Sequence, residues 1–113
     1  ADMGYDTLTG GEGDDFLRGG TGDDLLDGGE GNDRLFGDSG ADQFLLRLGE
    51  GMDMVFNFSD GEDSFLLANG LTFDQLTITS SGYSSAITVA GEQLATVFGV
   101  PANLITEADF TVA

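Results

Sequence analysis

Residues 10 to 36 read GGEGDDFLR, GGTGDDLLD and GGEGNDRLF, which are three consecutive blocks of nine residues. Each block has glycine at its first, second and fourth positions, aspartate at the sixth and leucine at the eighth. Such a strict period indicates a repeat array, because a flexible glycine-rich linker has no reason to keep an apolar residue at one position. The block is therefore the unit from which the fold is built.

The same frame continues on both sides of this stretch. Residues 1 to 9 and 37 to 45 keep glycine at the fourth position, aspartate at the sixth and an apolar residue at the eighth. Two looser copies follow, at residues 48 to 56 and 58 to 66. We therefore divide the first part of the chain into seven blocks, of which five are in strict register.

The last three residues of each block predict a short strand. Its middle side chain is apolar and points inward, while its two neighbours point outward. One inward side chain cannot bury itself, so the blocks must stack, with two strands and two turns making one coil of a parallel β-solenoid. Odd and even blocks then form two separate sheets. The predicted inward column is Leu8, Leu17, Leu26, Leu35, Phe44, Val55 and Phe65.

Stacking also places the sixth-position aspartates in columns, because neighbouring coils are about 4.8 Å apart. Like charges at that spacing either raise each other's pKa or recruit a cation. The turn glycines lack Cβ, so the backbone can adopt positive φ and bring its carbonyls inward. A site made only of oxygens favours Ca²⁺ over Mg²⁺, and the chain has no His or Cys for softer metals. The two columns are Asp6, Asp24, Asp42 and Asp63 on one edge, and Asp15, Asp33 and Asp53 on the other.

These blocks resemble the GGxGxDxUx nonapeptide of the RTX, or repeats-in-toxin, family, which is a Ca²⁺-binding pattern. The resemblance is close over residues 1 to 45 and looser over 46 to 67. It implies a β-roll that binds about five Ca²⁺ ions between turns of the same edge, through aspartate side chains and carbonyls of the glycine-rich turns. The residues assigned to these metal sites are Asp6, Gly11, Gly13, Asp15, Gly20, Gly22, Asp24, Gly29, Gly31, Asp33, Asp38, Gly40, Asp42, Gly51, Asp53 and Asp63.

Some blocks depart from the family pattern. Glycines are missing at residues 1 and 2, at Leu48 and at residues 58 and 59, which weakens the expected first and last sites. Asp38 replaces the second glycine of the fifth block. That change is mild, because aspartate tolerates left-handed backbone geometry better than most residues.

Residues 67 to 113 show ordinary strand patterns in place of the glycine period. Apolar residues alternate over residues 76 to 79, 86 to 89 and 93 to 98, which predicts a three-stranded antiparallel meander. The last coil of a solenoid exposes apolar residues and an unpaired strand edge. We therefore expect an all-β chain of two parts, a calcium-binding β-roll over residues 1 to 66 and a small antiparallel cap over 67 to 113.

Two short motifs flank this meander. Residues 72 to 76 suggest a helical turn, and Thr106 to Asp109 have capping-box spacing with Asp at the position where Glu or Gln is usual. Residues 109 to 113 are similar to the acid-then-apolar ending of some type I secreted hydrolases. A final strand packed on the cap is the other interpretation of the same five residues.

Charge excludes several classes of partner. The chain has 21 acids, three arginines and no lysine, for a net charge of −18, and 17 of the acids lie in residues 1 to 66. Nucleic acid and anionic membrane are therefore poor partners. No apolar run reaches transmembrane length. Without Ca²⁺, such an acidic, glycine-rich chain is expected to be disordered.

The sequence does not predict an enzyme. Without His or Cys there is no Ser-His triad and no thiol nucleophile. The adjacent acids Asp14-Asp15 and Asp23-Asp24 could suggest an acid/base pair, but the nine-residue period already explains Asp15 and Asp24. The chain begins inside a repeat, so we expect a fragment of a larger protein whose catalytic domain could lie upstream.

Two functions of different classes fit these residues. The first is a secreted, monomeric module that Ca²⁺ folds outside the cell, with the type I secretion machinery as the partner implied by the resemblance. The alternative is a carbohydrate-binding or adhesive module. The outer face of the even sheet bears on this choice, because it is predicted to pair Phe16 with Arg34 and Arg18 with Phe36 in neighbouring coils. We expect that face to be covered, by residues 67 to 113 or by a partner.

Overall fold

We describe the chain from a computed structural model. The described residues are 7–38, 40–47, 51–56, 58, 62–68, 71–82, 84–100 and 104–112. Within these ranges the regular elements are strands and short 3₁₀ turns, and none of them is a helix long and apolar enough to cross a membrane.

Each of the seven blocks contributes one short strand after its turn. The strands are β1 (Thr7–Thr9), β2 (Phe16–Arg18), β3 (Leu25–Asp27), β4 (Arg34–Phe36), β5 (Gln43–Leu46), β6 (Asp53–Phe56) and β7 (Ser64–Leu67). Four more strands follow, β8 (Thr77–Ser81), β9 (Ser84–Val89), β10 (Glu92–Val97) and β11 (Phe110–Val112).

Odd and even blocks lie in different sheets, as the period predicts. One sheet has the order β1-β3-β5-β7-β11 and the other β2-β4-β6-β10-β9-β8. The block strands pair in parallel with equivalent positions opposite each other, so that Leu8 lies opposite Leu26 and Leu17 opposite Leu35. The fold is thus a two-sheet parallel β-roll with an antiparallel β segment at its end.

The core of the roll is the predicted inward column. Its central members are completely buried, and Leu17, toward the start of the array, is partly buried against them. Phe44 and Phe65 are the largest buried side chains, and their ring centroids are 6.0 Å apart. The completely buried members of the column are Leu26, Leu35, Phe44, Val55 and Phe65.

The C-terminal segment forms the predicted meander. β8, β9 and β10 pair antiparallel in sequence order. A 3₁₀ turn at Phe73–Gln75 precedes them, and in a second turn at Glu107–Asp109 the Thr106 backbone N–H donates to Asp109 Oδ2 at 2.8 Å. Both short motifs are therefore present at the predicted positions.

This segment does more than cover the end of the roll, because it extends both sheets. β10 pairs parallel with β6, and β11 pairs parallel with β7. Its ring packing agrees with this arrangement, since Phe110 stacks on Phe65 with centroids 5.2 Å apart. Without this segment, β6 and β7 would each leave an unpaired backbone edge. Pairing with β10 and β11 satisfies the hydrogen bonds of these edges, as a cap of a solenoid must do.

The outer face of the even sheet differs in detail from the prediction. The register does place Phe16 opposite Arg34 and Arg18 opposite Phe36. The rings, however, stack on one another, with centroid distances between 4.5 and 4.8 Å. Phe16 stacks diagonally on Phe36, which lies directly opposite Phe56. Arg18 Nε donates to Asp38 Oδ2 at 3.1 Å. We call this row the aromatic ladder; it consists of Phe16, Phe36, Phe56 and Phe98.

Part of the outer face of the even sheet is covered by the C-terminal segment. Phe98, which follows β10, stacks on Phe56, so the C-terminal segment covers one end of the row. Phe36 and Phe56 are half-buried between their neighbours, and Phe16, at the other end, keeps 57% of its surface exposed.

Candidate metal centre

The sixth residue of each block lies between its glycine-rich turn and its strand. This position gathers carboxylates into two buried columns, because strands of the same sheet stack in register. Asp33 and Asp42 are completely buried, Asp53 is 8% exposed, and Asp15 is half-buried near the start of the array. Burying so many carboxylates is costly unless each is paired or coordinates a metal.

Backbone hydrogen bonds connect successive carboxylates within a column. The Asp15 N–H donates to Asp33 Oδ1 at 2.7 Å and the Asp24 N–H to Asp42 Oδ1 at 2.9 Å. The Asp42 N–H donates in the same way to Asp63 Oδ1 at 2.8 Å. Each carboxylate thus reaches back to the preceding coil on its own edge, and the structure assembles these predicted columns. Asp6 lies outside the described residues.

The second oxygen of these carboxylates has a different environment. It is buried, and no hydrogen-bond donor reaches it from the described residues. A buried anionic oxygen without a donor is unfavourable by at least about 1 to 3 kcal/mol, so its usual explanation is an ion or a proton. The atoms concerned are Oδ2 of Asp15, Asp33 and Asp42, and Oδ1 of Asp53.

The first glycine of each block lies against this oxygen. A Cβ on Gly10 would be 2.6 Å from Asp15 Oδ2 and 2.7 Å from the carbonyl oxygen of Gly28 in the next coil. A Cβ on Gly19 would likewise be 2.8 Å from Asp24 Oδ2. A carboxylate and a main-chain carbonyl of the next coil therefore crowd the same small space, which only glycine leaves open.

Sequence reasoning missed these first glycines, since it assigned the second and fourth ones to the metal sites. The signal was present, because the first position is glycine in the same strict blocks. Its importance depends on a contact between coils, which one block by itself does not contain. The missed residues are Gly10, Gly19, Gly28 and Gly37.

The second and fourth glycines shape the turn itself. Gly11 and Gly13 have φ of 87° and 88°, and the same positive φ recurs in the following blocks. Asp38 adopts φ 62°, in agreement with its expected tolerance of the second position. The carbonyl oxygens of Gly13 and Gly22 lie directly against Gly31 and Gly40 of the next coil. The turns therefore stack backbone to backbone, with their carbonyls between coils. The other assigned glycines with positive φ are Gly20, Gly22, Gly29, Gly31, Gly40 and Gly51.

Burial, together with charge repulsion, raises the pKa of three carboxyl groups in these columns. Burial raises the pKa of Asp53 to about 8, and the negative charge of Asp33 adds to this effect. Burial also raises the pKa of Asp42 to about 7. The hydrogen bond from the Asp24 N–H lowers this pKa, and the negative charge of Asp63 raises it further. Burial is also the main reason that the pKa of Asp33 is raised. These columns therefore favour whatever neutralises them, a proton or a cation.

The donor set fits a calcium ion. Carboxylate oxygens and turn carbonyls are hard ligands, and their spread over two flexible turns suits the six to eight oxygens that Ca²⁺ takes. Within the described part of the chain, no three acidic side chains converge on one point. A bound ion would be held by carboxylates together with main-chain oxygens.

Comparison with known proteins agrees with this geometry. Residues 4 to 25 and 9 to 44 match the model of the RTX calcium-binding nonapeptide repeat, in four copies. No curated protein matches the chain closely enough to count as a relative.

A solved structure shows the same fold. The crystal structure of the extracellular lipase LipA from Serratia marcescens matches with a TM-score of 0.65 and 25% sequence identity, covering 95% of this chain. The chain spans only 21% of the lipase. The solution structure of the AlgE6R3 subunit from the Azotobacter vinelandii mannuronan C5-epimerase matches at 22% identity over 96% of this chain and 78% of that one, with a TM-score of 0.40. Residues 4 to 44 are thus similar to the RTX calcium-binding nonapeptide repeat, and the described strands fold as a β-roll.

Proposed function

We propose that this chain is a module of a larger secreted protein, and that calcium binding drives its folding outside the cell. One observation carries the proposal: buried carboxylate oxygens stand in register against glycine turns, with no donor from the described residues. This arrangement opposes folding when the carboxylates are ionised and favours it when a divalent cation lies between them. Folding and calcium binding are therefore one equilibrium.

The proposed ligands are the sixth-position aspartates together with carbonyls of the stacked turns. Successive aspartates of one column define a gap between two turns, and the columns together offer about five such gaps. Gaps bordered by strictly regular blocks, such as that between Asp24 and Asp42, should bind most tightly. Gaps bordered by Asp6 or Asp63 should bind less tightly, because the neighbouring turns lack glycines of the repeat.

The energies involved are large enough for a switch. At a free Ca²⁺ concentration about ten times the dissociation constant, each site stabilises the folded state by about 1.4 kcal/mol. About five sites then contribute about 7 kcal/mol, which is comparable with the whole stability of a typical small domain. Where Ca²⁺ is scarce this contribution vanishes, and the net charge of −18 opposes compaction.

Type I export is the proposed context of this switch. A chain that stays unfolded at low Ca²⁺ is suited to transport through a narrow channel and would fold after release. Residues 110 to 112, within the ending that resembles a secretion signal, form β11 and pair with β7. Such a signal would therefore be accessible before folding and covered afterwards. The extracellular lipase that shares this fold supports an extracellular location.

The aromatic ladder weighs against the carbohydrate-binding alternative. Sugars stack on free ring faces, but Phe36 lies between Phe16 and Phe56, and Phe56 lies between Phe36 and Phe98. Both faces of the two central rings are thus already occupied within the chain. Phe16 is the most exposed ring of the ladder, and a single phenyl ring offers little surface for binding a glycan.

A calcium titration followed by far-UV circular dichroism tests the proposal, with Mg²⁺ at equal ionic strength as the control. We expect a cooperative gain of β signal with Ca²⁺ and little change with Mg²⁺, because Mg²⁺ requires a tight octahedral shell. A β spectrum that is the same in EGTA and in millimolar Ca²⁺ would overturn the folding switch. Export of a passenger fused to residues 1–113 by a type I secretion system tests the secretion role separately.

A further inference from the structure

A second row of hydrogen bonds runs along the turn edges, outside the carboxylate columns. It uses the fifth residue of the block, a position that the nonapeptide pattern leaves free. Asp14 Oδ1 accepts from the Asn32 N–H at 2.9 Å, and Asn32 Oδ1 accepts from the Met52 N–H at 3.0 Å. On the other edge, Asp23 Oδ1 accepts from the Ala41 N–H at 2.8 Å. Each bond joins a turn to the equivalent turn of the next coil.

These bonds run opposite to those of the metal-site aspartates. The fifth-position side chain reaches forward to the next coil, whereas Asp33 and Asp42 reach back to the preceding one. Two consecutive residues of a turn, such as Asn32 and Asp33, therefore make bonds in both directions along the edge. These bonds connect the turn to its neighbours on both sides, and the proposed ions lie between these turns.

We propose that the fifth residue of the block is a positioning residue of the calcium sites, a role that rests on the proposed function. Its oxygen holds the next turn at the distance that the shared ion requires. The group needed is an acceptor oxygen and not a negative charge, since Asn32 makes the same bond as Asp14 and Asp23. This distinguishes the fifth position from the sixth, where the charge itself is needed for the metal.

The end of the regular array agrees with this role. Position five is Ala41 in the fifth block and Met52 in the sixth, and neither side chain has an oxygen. Both backbone N–H groups still donate to a side-chain oxygen of the preceding coil, but neither side chain has an oxygen that could accept from the next coil. The row therefore stops where the glycine pattern begins to fail, and the last turns should hold calcium less tightly.

The cleanest variant is Asn32→Ala, which removes the acceptor without changing the charge. Isothermal titration calorimetry of the whole chain with Ca²⁺ would measure its effect. We expect the affinity of the ion bordered by Asp33 and Asp53 to fall about two- to tenfold, the usual effect of one hydrogen bond. Asn32→Asp, which restores an acceptor, should return the affinity to near its original value.

A merely structural role gives a different result. If the lost bond only weakened overall folding, its effect would be shared by about five ions, and a tenfold loss would move their common midpoint by less than about 1.6-fold. Weakening of one class of site alone therefore supports positioning. A uniform small shift, or equal affinities for Asn32→Ala and the original chain, would overturn it.

Two further variants keep the test decisive if Asn32→Ala does not fold. Ala41→Asn adds an acceptor at the end of the row, and we expect it to tighten the ion bordered by Asp42 and Asp63 about two- to tenfold. Glu12→Gln removes one charge from an exposed side chain of the same kind of turn and should leave every affinity within about twofold. If Ala41→Asn gives no gain while the original chain folds with Ca²⁺, positioning fails and the folding switch stands. If the original chain does not respond to Ca²⁺ at all, the proposed function fails first.

Discussion

The ring of Phe56 stacks on the ring of Phe98, with centroids 4.7 Å apart and planes 6° from parallel. Phe56 belongs to β6, the last block strand of the even sheet, and Phe98 follows β10, the strand that extends this sheet. The contact therefore joins the calcium-binding array to the C-terminal segment through a row of rings that continues to Phe36 and Phe16. It stabilises the stacking of coils independently of the metal.

Replacing Phe56 with alanine tests this coupling. Phe56→Ala loses stacking partners on both sides, so we expect the free energy of unfolding in saturating Ca²⁺ to fall by about 2 to 3 kcal/mol. Phe16→Ala is the matched control, because Phe16 is 57% exposed at the end of the row and should cost about 1 kcal/mol. Urea unfolding measures both. Equal losses would contradict a cooperative ladder.

The proposed role of the buried aspartate columns is tested by Asp33→Asn. The amide keeps an oxygen to accept the Asp15 N–H but removes a negative charge from the site, and calcium affinity depends on the number of charged ligands. We expect calorimetry to show at least about tenfold weaker binding at the sites that Asp33 borders. Asp74→Asn, in an exposed turn of the C-terminal segment, should change nothing. Unchanged binding by Asp33→Asn would exclude Asp33 as a ligand.

Two glycine substitutions distinguish the two roles of glycine in these turns, which are to leave space beside the carboxylate and to adopt positive φ. Gly19→Ala would place a methyl group 2.8 Å from Asp24 Oδ2 and 2.9 Å from the Gly37 carbonyl. We expect calcium affinity to fall about tenfold, since overpacking a filled space costs about 1 to 3 kcal/mol.

Gly11→Ala is the matched control for that substitution. Its Cβ would meet nothing within 4 Å, but its φ of 87° is strained for alanine. It should lower the free energy of unfolding by about 1 to 2 kcal/mol and leave the number of bound ions unchanged. If both variants lowered affinity equally, the first glycine would have no special role at the metal.

The pH dependence of the metal-free chain follows from the raised pKa values. Burial raises the pKa of Asp42 to about 7 and that of Asp53 to about 8, above the ordinary value of 3.8. The folded chain then binds more protons than the unfolded chain, so its stability is greatest below about pH 4 and is lost as the pH rises toward 8. In EGTA, the β signal should therefore be stronger at about pH 5 than at about pH 8.

Asp42→Asn provides the control for this pH effect. It removes one of the raised carboxyls, so the difference between the two pH values should become smaller. A β signal in EGTA that grows as the pH rises would mean that these carboxylates are stabilised in their ionised form by another group.

The repeat period predicted the architecture because it acts on every block in the same way. One apolar residue in nine requires stacked coils, and the odd and even sheets with their buried column from Leu26 to Phe65 follow from that requirement. The alternating residues after position 76 likewise predicted the antiparallel strands. The local sequence pattern was sufficient to predict those features that depend on the strand or turn to which a residue belongs.

Contacts between coils could be predicted only in part. The register of Phe16 with Arg34 was correct, but the diagonal stacking of Phe16 on Phe36 depends on side-chain directions that the spacing does not specify. The role of Gly19 against the next coil was missed for a related reason, since the contact lies between blocks.

The sequence by itself determined a β-roll of stacked nonapeptides, its inward apolar column and its two columns of aspartates, because these depend on a period that every block repeats. Only the tertiary structure decided that the C-terminal segment extends both sheets, that the phenyl rings form a ladder and that the fifth residues bind the next turn. Those features depend on distances between coils, where hydrogen bonds and ring contacts are sensitive to less than an ångström and residue spacing alone carries no such information.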